Sequence, residues 1–240
     1  IFRLPALFGE GYIPDHVTYM WLVMVILAAV AFVATRSLAL VPRGSQNFLE
    51  VVLEQFLTLI DDVIGPEGRK YLPLIVTLGL FIVVGNLMGL VPGLMAPTSN
   101  LNMTLALALC VFAYVQYTGV RRLGVWGYVQ HLLGQPRGVV GWLLAPLMGV
   151  IEIVGELVKP LSLALRLGFN ITAEDALIGF FLLLGAGALA AFHSPVGLPL
   201  HILFYPLIIL FSTIQALVFS LLTSVYLSMK LPHEDHGGRH

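Results

Sequence analysis

The residues of this sequence that could do chemistry lie together in one long apolar stretch, from about Trp142 to Phe192. Two cations, Lys159 and Arg166, fall inside it. A charge in the middle of a bilayer costs between ~3 and over ~10 kcal/mol, depending on how far water and lipid adapt. Arg166 is therefore predicted to be buried among polar partners. The same stretch supplies candidates for that role: Glu152, Glu156, Ser162, Asn170, Glu174 and Asp175.

Helical geometry arranges these charges along the stretch. At ~100° of turn and ~1.5 Å of rise per residue, Glu152 lies about 40° from Arg166 in angle and ~21 Å towards one membrane face. Glu174 lies about 80° round and ~12 Å towards the other face, whereas Asp175 comes out on the opposite side of the helix. Pro160 bends the helix, so the distances are firmer than the angles. The pattern indicates carboxylates on both sides of a permanent cation.

This arrangement suits ion translocation. Carboxylates in a wet cavity can pass protons on, while a guanidinium does not deprotonate in proteins. Arg166 would therefore act as an electrostatic barrier between two half-channels. It would also favour the ionised form of a carboxylate that a partner carries past it. Under this hypothesis the ion travels past the barrier with the partner.

The composition indicates which elements must hold these residues. Hydrophobic residues make up 58% of the 240 residues and charged residues only 10%, against about 25% charged in soluble domains. The formal net charge of -1 gives no reason to expect nucleic acid. The one cysteine, Cys110, lies in an apolar run, which favours a packing role over a redox role. The predicted solvent of the chain is a lipid bilayer.

The predicted fold is a single all-α polytopic membrane domain over residues 1–240, with about five transmembrane helices and one amphipathic surface helix. The amphipathic helix is indicated by apolar residues at helical spacing, such as Phe48, Val52 and Phe56. A basic loop with Arg121, Arg122 and Arg137 is expected after the third span. The predicted segments are the first span (1–41), the amphipathic helix (45–64), a transmembrane hairpin (72–118), a long tilted hairpin of the last two spans (142–230) and a flexible tail (231–240).

The positive charges predict an orientation. Two of the twelve Lys and Arg residues lie within the fourth span, and Arg3 alone lies on the N-terminal side. Because cytoplasmic loops carry the excess of such residues, the N-terminus is predicted outside and the C-terminus in the cytoplasm. The nine cations on the cytoplasmic side would be Arg36, Arg43, Arg69, Lys70, Arg121, Arg122, Arg137, Lys230 and Arg239.

Several motifs resemble subunit a of rotary F-type ATP synthases. PLSLALRLGFN, with a carboxylate nine positions after the arginine, is similar to the signature of that family. GLVPG followed by PTSNLNMTLALAL resembles the family's first hairpin, APLMGVIEIVGELVKPLSLALRL its penultimate helix, and IQALVFSLLTSVYLS its last helix. These motifs occur in the family's order and cover most of the chain from Pro42 to Ser228, which is more specific than any single motif.

The resemblance implies a role for each matching residue. Arg166 corresponds to the family's stator arginine, which faces the ion-binding carboxylate of a rotating ring of c subunits. Asp175 takes the place of the acidic or histidine residue of the outer half-channel, and the adjacent Glu174 is a second candidate. The other matching positions are Asn170 in the motif, Glu152 on the way to the cytoplasm, and Gln215 in the last helix near the arginine.

The sequence departs from the family's pattern at two places. The family usually has Leu-Phe-Gly-Asn after the arginine, but here Gly168 precedes Phe169, which moves the bulky ring by ~100°. Some relatives have a histidine or an acid seven residues before the glutamine of the last helix, where this chain has Ile208. His201, fourteen residues before Gln215, could supply a titratable group instead.

The resemblance implies a non-catalytic stator subunit in a bacterial inner membrane. It would provide two aqueous half-channels that deliver protons, or sodium ions, to and from the carboxylates of the ring. The expected partners are the ring of c subunits, the peripheral stalk b subunits, the rest of the ATP synthase complex and membrane lipid. No cofactor and no nucleic acid is expected.

Each assignment leaves an alternative open. Glu152 and Glu156, both candidates for the ion path, could instead pair with Lys159 at helical spacing. Gln215 could form a structural hydrogen bond between helices, and His201 could belong to a channel or to an interface. The histidines and acids of the tail favour a solvated segment over a metal site.

Two other classes of function compete with the stator hypothesis. A self-contained secondary transporter would normally have paired inverted halves, which this sequence lacks. An intramembrane hydrolase could use Ser162 and His201, but the sequence has neither a nucleophile motif with a placed base nor a His-Glu-x-x-His motif. Co-isolation with a small-subunit ring and a soluble ATPase would favour the stator hypothesis.

Overall fold

The fold is a bundle of long helices, seen in a computed structural model that describes residues 15–36, 44–91, 94–134, 138–190 and 200–231. Within these ranges there is no strand, which confirms the all-α prediction. Short 3₁₀ helices, Pro66–Tyr71, Pro97–Ser99 and Leu200–Phe204, precede three of the α-helices. The α-helices are α1 (Asp15–Thr35), α2 (Ser45–Val63), α3 (Leu72–Met88), α4 (Leu101–Leu132), α5 (Gly138–Ala190) and α6 (Tyr205–Ser228).

Five of the described helical segments are long and apolar enough to cross a membrane, as predicted. The amphipathic helix α2 is not among them. The candidate spans are His16–Thr35, Pro66–Met88, Leu101–Gln130, Leu143–Gly185 and Ile202–Ser228.

Some predictions fall outside the described residues. The first span was predicted over residues 1–41, and the described part of it ends with α1 at Thr35 and a turn at Arg36. The other predictions outside the described ranges concern Arg3, Arg43, Arg137 and the tail beyond Leu231.

The prediction of a basic loop after the third span is wrong for Arg121 and Arg122. Both residues lie on α4, which continues to Leu132. Arginine is a good helix former, so a change from apolar to charged residues does not by itself end a helix. The interruption comes at Gly124, whose φ of 70° and ψ of 163° are open to glycine but strained for other residues.

Helix α5, with 53 residues, is the longest element among the described residues. Its candidate span of 43 residues would be ~65 Å long, about twice the thickness of the hydrocarbon core. It pairs with α6 in an antiparallel sense, as the predicted hairpin requires. The rings of Phe181 and Phe204 stack at 3.9 Å near one end of the pair. Towards the other end, Lys159 lies 5.5 Å from the ring centre of Tyr226.

Helix α2 packs partly against the bundle rather than lying apart from it. Ile60 is fully buried in the main core, and Phe56 packs against the same core. Close approach is possible because α3 has Gly79 at the contact. A Cβ atom there would lie 2.6 Å from Cζ of Phe56 and 2.8 Å from Oγ of Ser220 on α6. The other half of α2 leaves Phe48 exposed.

Candidate functional site

Arg166 lies on the outer surface of the chain, so the prediction that it is buried is wrong for this chain by itself. Helix α5 turns another face towards α4, and that face carries the buried residues Leu163, Leu167 and Ile171. Arg166 therefore points away from the packed interior. Among the described residues, its guanidinium has no hydrogen bond and no ion pair.

The two residues Gly168 and Phe169 lie on different faces of α5, one towards α4 and one away from it. Gly168 is buried, and a Cβ atom there would lie 2.6 Å from Cδ2 of Leu101 and 3.4 Å from Oγ1 of Thr104 on α4. Phe169 is 59% exposed on the side away from α4. The unusual order of these two residues thus places the small residue at the helix contact and the ring on the outer surface.

The structure separates the two acids that the sequence left as alternatives. Glu174 is only 8% exposed, and its Oε1 accepts a hydrogen bond of 2.9 Å from Nδ2 of Asn170. Asp175 is exposed. The predicted site residues Asn170 and Glu174 are therefore brought together, with Glu174 facing inwards and Asp175 facing outwards.

Gln215 occupies a buried polar face of α6. Its Nε2, together with Oγ of Ser212 and Oγ of Ser220, has no hydrogen-bond partner among the described residues. The contacts of Phe181 with Phe204 and of Lys159 with Tyr226 define an antiparallel register between α5 and the last helix. In that register Gln215 lies level with Asn170, one turn along α5 from Arg166. A buried amide without a partner is costly, so Gln215 has spare hydrogen-bonding capacity in the middle of the membrane.

The titratable group that the sequence suggests near the last helix, His201, precedes α6. His201 lies in the 3₁₀ helix Leu200–Phe204 that precedes α6, and its side chain lies outside the described part of the chain. Ile208, at the position where some relatives have a histidine or an acid, is buried.

Glu156 is the centre of a buried polar cluster that joins three helices. Its Oε1 accepts a hydrogen bond of 2.6 Å from Nζ of Lys159, and its Oε2 accepts one of 2.8 Å from Nε2 of Gln116 on α4. Nζ of Lys230, just after α6, lies 3.0 Å from Oε1. That contact is an ion pair by distance, although it lacks hydrogen-bond geometry.

Aromatic rings enclose the cluster. The hydroxyl of Tyr128 donates to Oε1 of Gln116, and the ammonium of Lys230 lies 5.2 Å from the centre of the Tyr128 ring. Lys230 is only 2% exposed. Lys230 was predicted as one of the cations on the cytoplasmic side, and Gln116 was not predicted as a site residue. An uncharged polar residue within an apolar span was the signal that could have identified Gln116.

Glu152 differs from Glu156 in its surroundings. It is half-buried on α5 and makes no ion pair or hydrogen bond with the described residues. Lys159 is engaged by Glu156 instead, one turn further along α5. Glu152, the acid predicted to lie on the way to the cytoplasm, is thus open to water or to a partner.

Comparisons with known proteins show the family of this chain. The chain matches the family model for the ATP synthase A chain over residues 17–228. It is 42% identical over 220 residues to ATP synthase subunit a of Protochlamydia amoebophila, which covers 92% of this chain and 81% of that protein. It is also 42% identical over 234 residues to ATP synthase subunit a of Solidesulfovibrio magneticus, covering 97% and 91%, and 42% identical over 217 residues to that of Geobacter sulfurreducens, covering 90% and 87%. The five apolar spans, the polar residues of α5 and this extent of similarity identify the chain as a member of the ATP synthase A chain family, a membrane subunit of the ATP synthase complex.

Proposed function

We propose that this chain is the stator subunit that passes protons, or sodium ions, to and from the carboxylates of a rotating c-ring. The observation that carries the proposal is the exposed guanidinium of Arg166, which has no hydrogen bond or ion pair among the described residues. Phe169 and Val158, which lie within ~80° of Arg166 around α5, are 59% and 51% exposed, so this surface includes large apolar side chains. An unpaired charge on an apolar surface at membrane depth needs a partner from outside the chain.

A ring carboxylate is the partner that fits this position best. A carboxylate next to the guanidinium is favoured in its ionised form, and it loses that stabilisation once it takes up an ion and moves away. Arg166 then holds each ring carboxylate ionised as it passes from one half-channel to the other. Because the guanidinium stays charged, ions cannot cross directly between the half-channels.

Glu174 is the better candidate for the outer half-channel. It is buried and hydrogen-bonded to Asn170, so it belongs to the polar interior between the helices, whereas Asp175 is exposed on the other side of α5. Gln215 has an unpaired amide at the same level, which offers a further donor to water in this path. The ion passes from Glu174 to the ring.

Glu152 is the proposed acid of the inner half-channel. It is half-buried and unpaired within the described residues, so it can exchange ions with water. Glu156 is the weaker candidate, because Lys159, Lys230 and Gln116 already occupy its carboxylate. We propose that Glu156 supports this end of the path structurally.

The orientation and setting follow the same proposal. The N-terminus faces outwards and the C-terminus faces the cytoplasm of a bacterium, with the c-ring and the b subunits as partners. The chain itself makes and breaks no covalent bonds. A self-contained transporter would enclose its essential charge among its own helices, and the outward position of Arg166 disfavours that alternative.

Replacement of Arg166 in the complete ATP synthase tests the proposal. An Arg166→Ala complex in vesicles should lose ATP synthesis driven by an ion gradient, while the ring still co-purifies with it. Arg36→Ala is the matched control, because Arg36 is an exposed arginine at the end of α1. That variant should keep coupled synthesis. Coupled synthesis by the Arg166→Ala complex would refute the proposal.

A further inference from the structure

A second polar site lies away from α5, between the 3₁₀ helix that precedes α3 and the middle of α4. It is a cavity of about 520 Å³. Lys70 and Tyr71 contribute from the segment before α3, and the remaining lining residues, which include Tyr114, Arg121 and Arg122, come from α4. Two of the lining residues, Tyr71 and Tyr114, make an edge-to-face contact at 6.2 Å between ring centres.

The charge of this cavity is positive. Glu67 is the nearby carboxylate, with Oε2 3.0 Å from Nζ of Lys70 and 3.9 Å from Nη2 of Arg122. Arg121 has no ion pair among the described residues. Three cations against one carboxylate leave an excess of positive charge facing an open space. An anion is therefore the ligand that the cavity would accept.

The position of the cavity along α4 indicates where that anion comes from. The lining residues of α4 recur at intervals of three and four from Tyr114 to Arg122, so they form one face of the helix. Arg121 lies twenty residues after Leu101, where the span begins, which is ~30 Å along the helix and matches the thickness of the hydrocarbon core. The tyrosines precede the arginines on this face, as in the aromatic belt at a membrane interface.

We propose that this cavity binds the phosphate group of an anionic phospholipid headgroup. Arginine side chains offer forked donors that match phosphate oxygens, and a tyrosine hydroxyl can donate alongside them. Basic pockets between transmembrane helices at headgroup level are known to take anionic lipid headgroups. Inorganic phosphate presents the same chemistry, and the experiment separates the two sources.

Photolabelling of the complete ATP synthase in vesicles tests the proposal at the site itself. The probe is phosphatidylglycerol with a photoreactive group on its headgroup, and the same group on phosphatidylcholine is the comparison. We expect phosphatidylglycerol to label the α4 segment between Tyr114 and Arg122 more strongly. Arg121→Gln should lower this labelling by about fivefold, the effect of one basic residue at an anionic membrane surface.

Arg36→Gln is the matched control, since it removes an exposed arginine at the end of another span. It should leave the labelling of α4 unchanged. If Arg121→Gln does not assemble, Lys70→Gln provides the same comparison within the cavity. Equal labelling by phosphatidylcholine, or labelling that survives loss of either cation, would overturn the proposal. Displacement of the lipid by millimolar inorganic phosphate would overturn the lipid assignment and identify free phosphate as the ligand.

Discussion

The ammonium group of Lys230 lies 3.0 Å from the carboxylate of Glu156, which ties the end of α6 to the first half of α5. Both side chains are almost completely buried. Lys159 contacts the same carboxylate oxygen, so one acid is shared by two cations. Helices α5 and α6 carry the proposed ion path between this cluster and the stacked aromatic side chains of Phe181 and Phe204. The cluster therefore fixes one end of the path.

Removing the charge of Glu156 should destabilise the chain strongly. Glu156→Gln leaves two ammonium groups without their counter-ion, and breaking a buried ion pair costs about 3–5 kcal/mol. The free energy of unfolding in mixed micelles measures the effect. Glu152→Gln is the control, because Glu152 is half-buried and forms no ion pair among the described residues. Its change should stay below about 1 kcal/mol. Equal stability of the two variants would contradict the structural role of Glu156.

The two neighbouring acids of α5 should differ in their effect on ion transport. Glu174→Gln keeps the size of the side chain and an acceptor for Asn170, but it cannot exchange a proton. We expect ion-driven ATP synthesis to fall by on the order of 10²-fold, as for the loss of a proton-transfer group. Asp175→Asn, at the exposed position, should have little effect. A large loss of synthesis in Asp175→Asn with little loss in Glu174→Gln would identify Asp175 as the acid of the outer half-channel.

The order of Gly168 and Phe169 should matter for packing. In Gly168→Ala the new methyl group meets only the end of the flexible Leu101 side chain, which can rotate away, so the variant should fold. Gly168→Phe places a ring against α4 and should cost about 1–3 kcal/mol or more. Phe169→Gly is the matched control, since Phe169 lies on the outer surface. The free energy of unfolding in mixed micelles measures the effect of each variant. A Gly168→Phe variant as stable as wild type would contradict the expectation and show that α4 and α5 can move apart.

The contact between α2 and the 3₁₀ helix that precedes α3 should depend on pH. Nε and Nη2 of Arg69 donate to Asp61 at 3.1 and 2.8 Å, and this interaction lowers the pKa of Asp61 below its ordinary value of 3.8. A lowered pKa means that the contribution to stability is present above the unfolded value and is lost as the pH falls through the folded value.

Wild type should therefore be slightly more stable than Asp61→Asn at neutral pH. The two proteins should converge as the pH falls below 3.8, the ordinary pKa of the carboxyl group. Unfolding measured in micelles across acidic pH tests this expectation. The difference will be small, because exposed ion pairs contribute little. A difference in stability between wild type and Asp61→Asn that grows as the pH falls would contradict this expectation.

The sequence alone was sufficient to predict the membrane class, the five spans and the amphipathic helix. Hydropathy and helical periodicity are local properties, so a window of about 20 residues contains the whole signal. The same local reasoning failed where α4 continues through Arg121 and Arg122. Charged residues end an apolar run without ending a helix, and the actual interruption depends on the backbone of Gly124.

The sequence by itself also determined which residues of α5 carry charge and how far apart they lie, because the rise of a helix is constant. Only the tertiary structure decided which way each of them faces. Helix α5 packs Leu167 and Gly168 against α4, so Arg166 is left outside while Glu174 is turned inwards. Two of the partners of Glu156, Gln116 on α4 and Lys230 after α6, lie far away in the chain. The helical period shows which residues share a face of one helix. The packing of neighbouring helices determines which of those faces is buried.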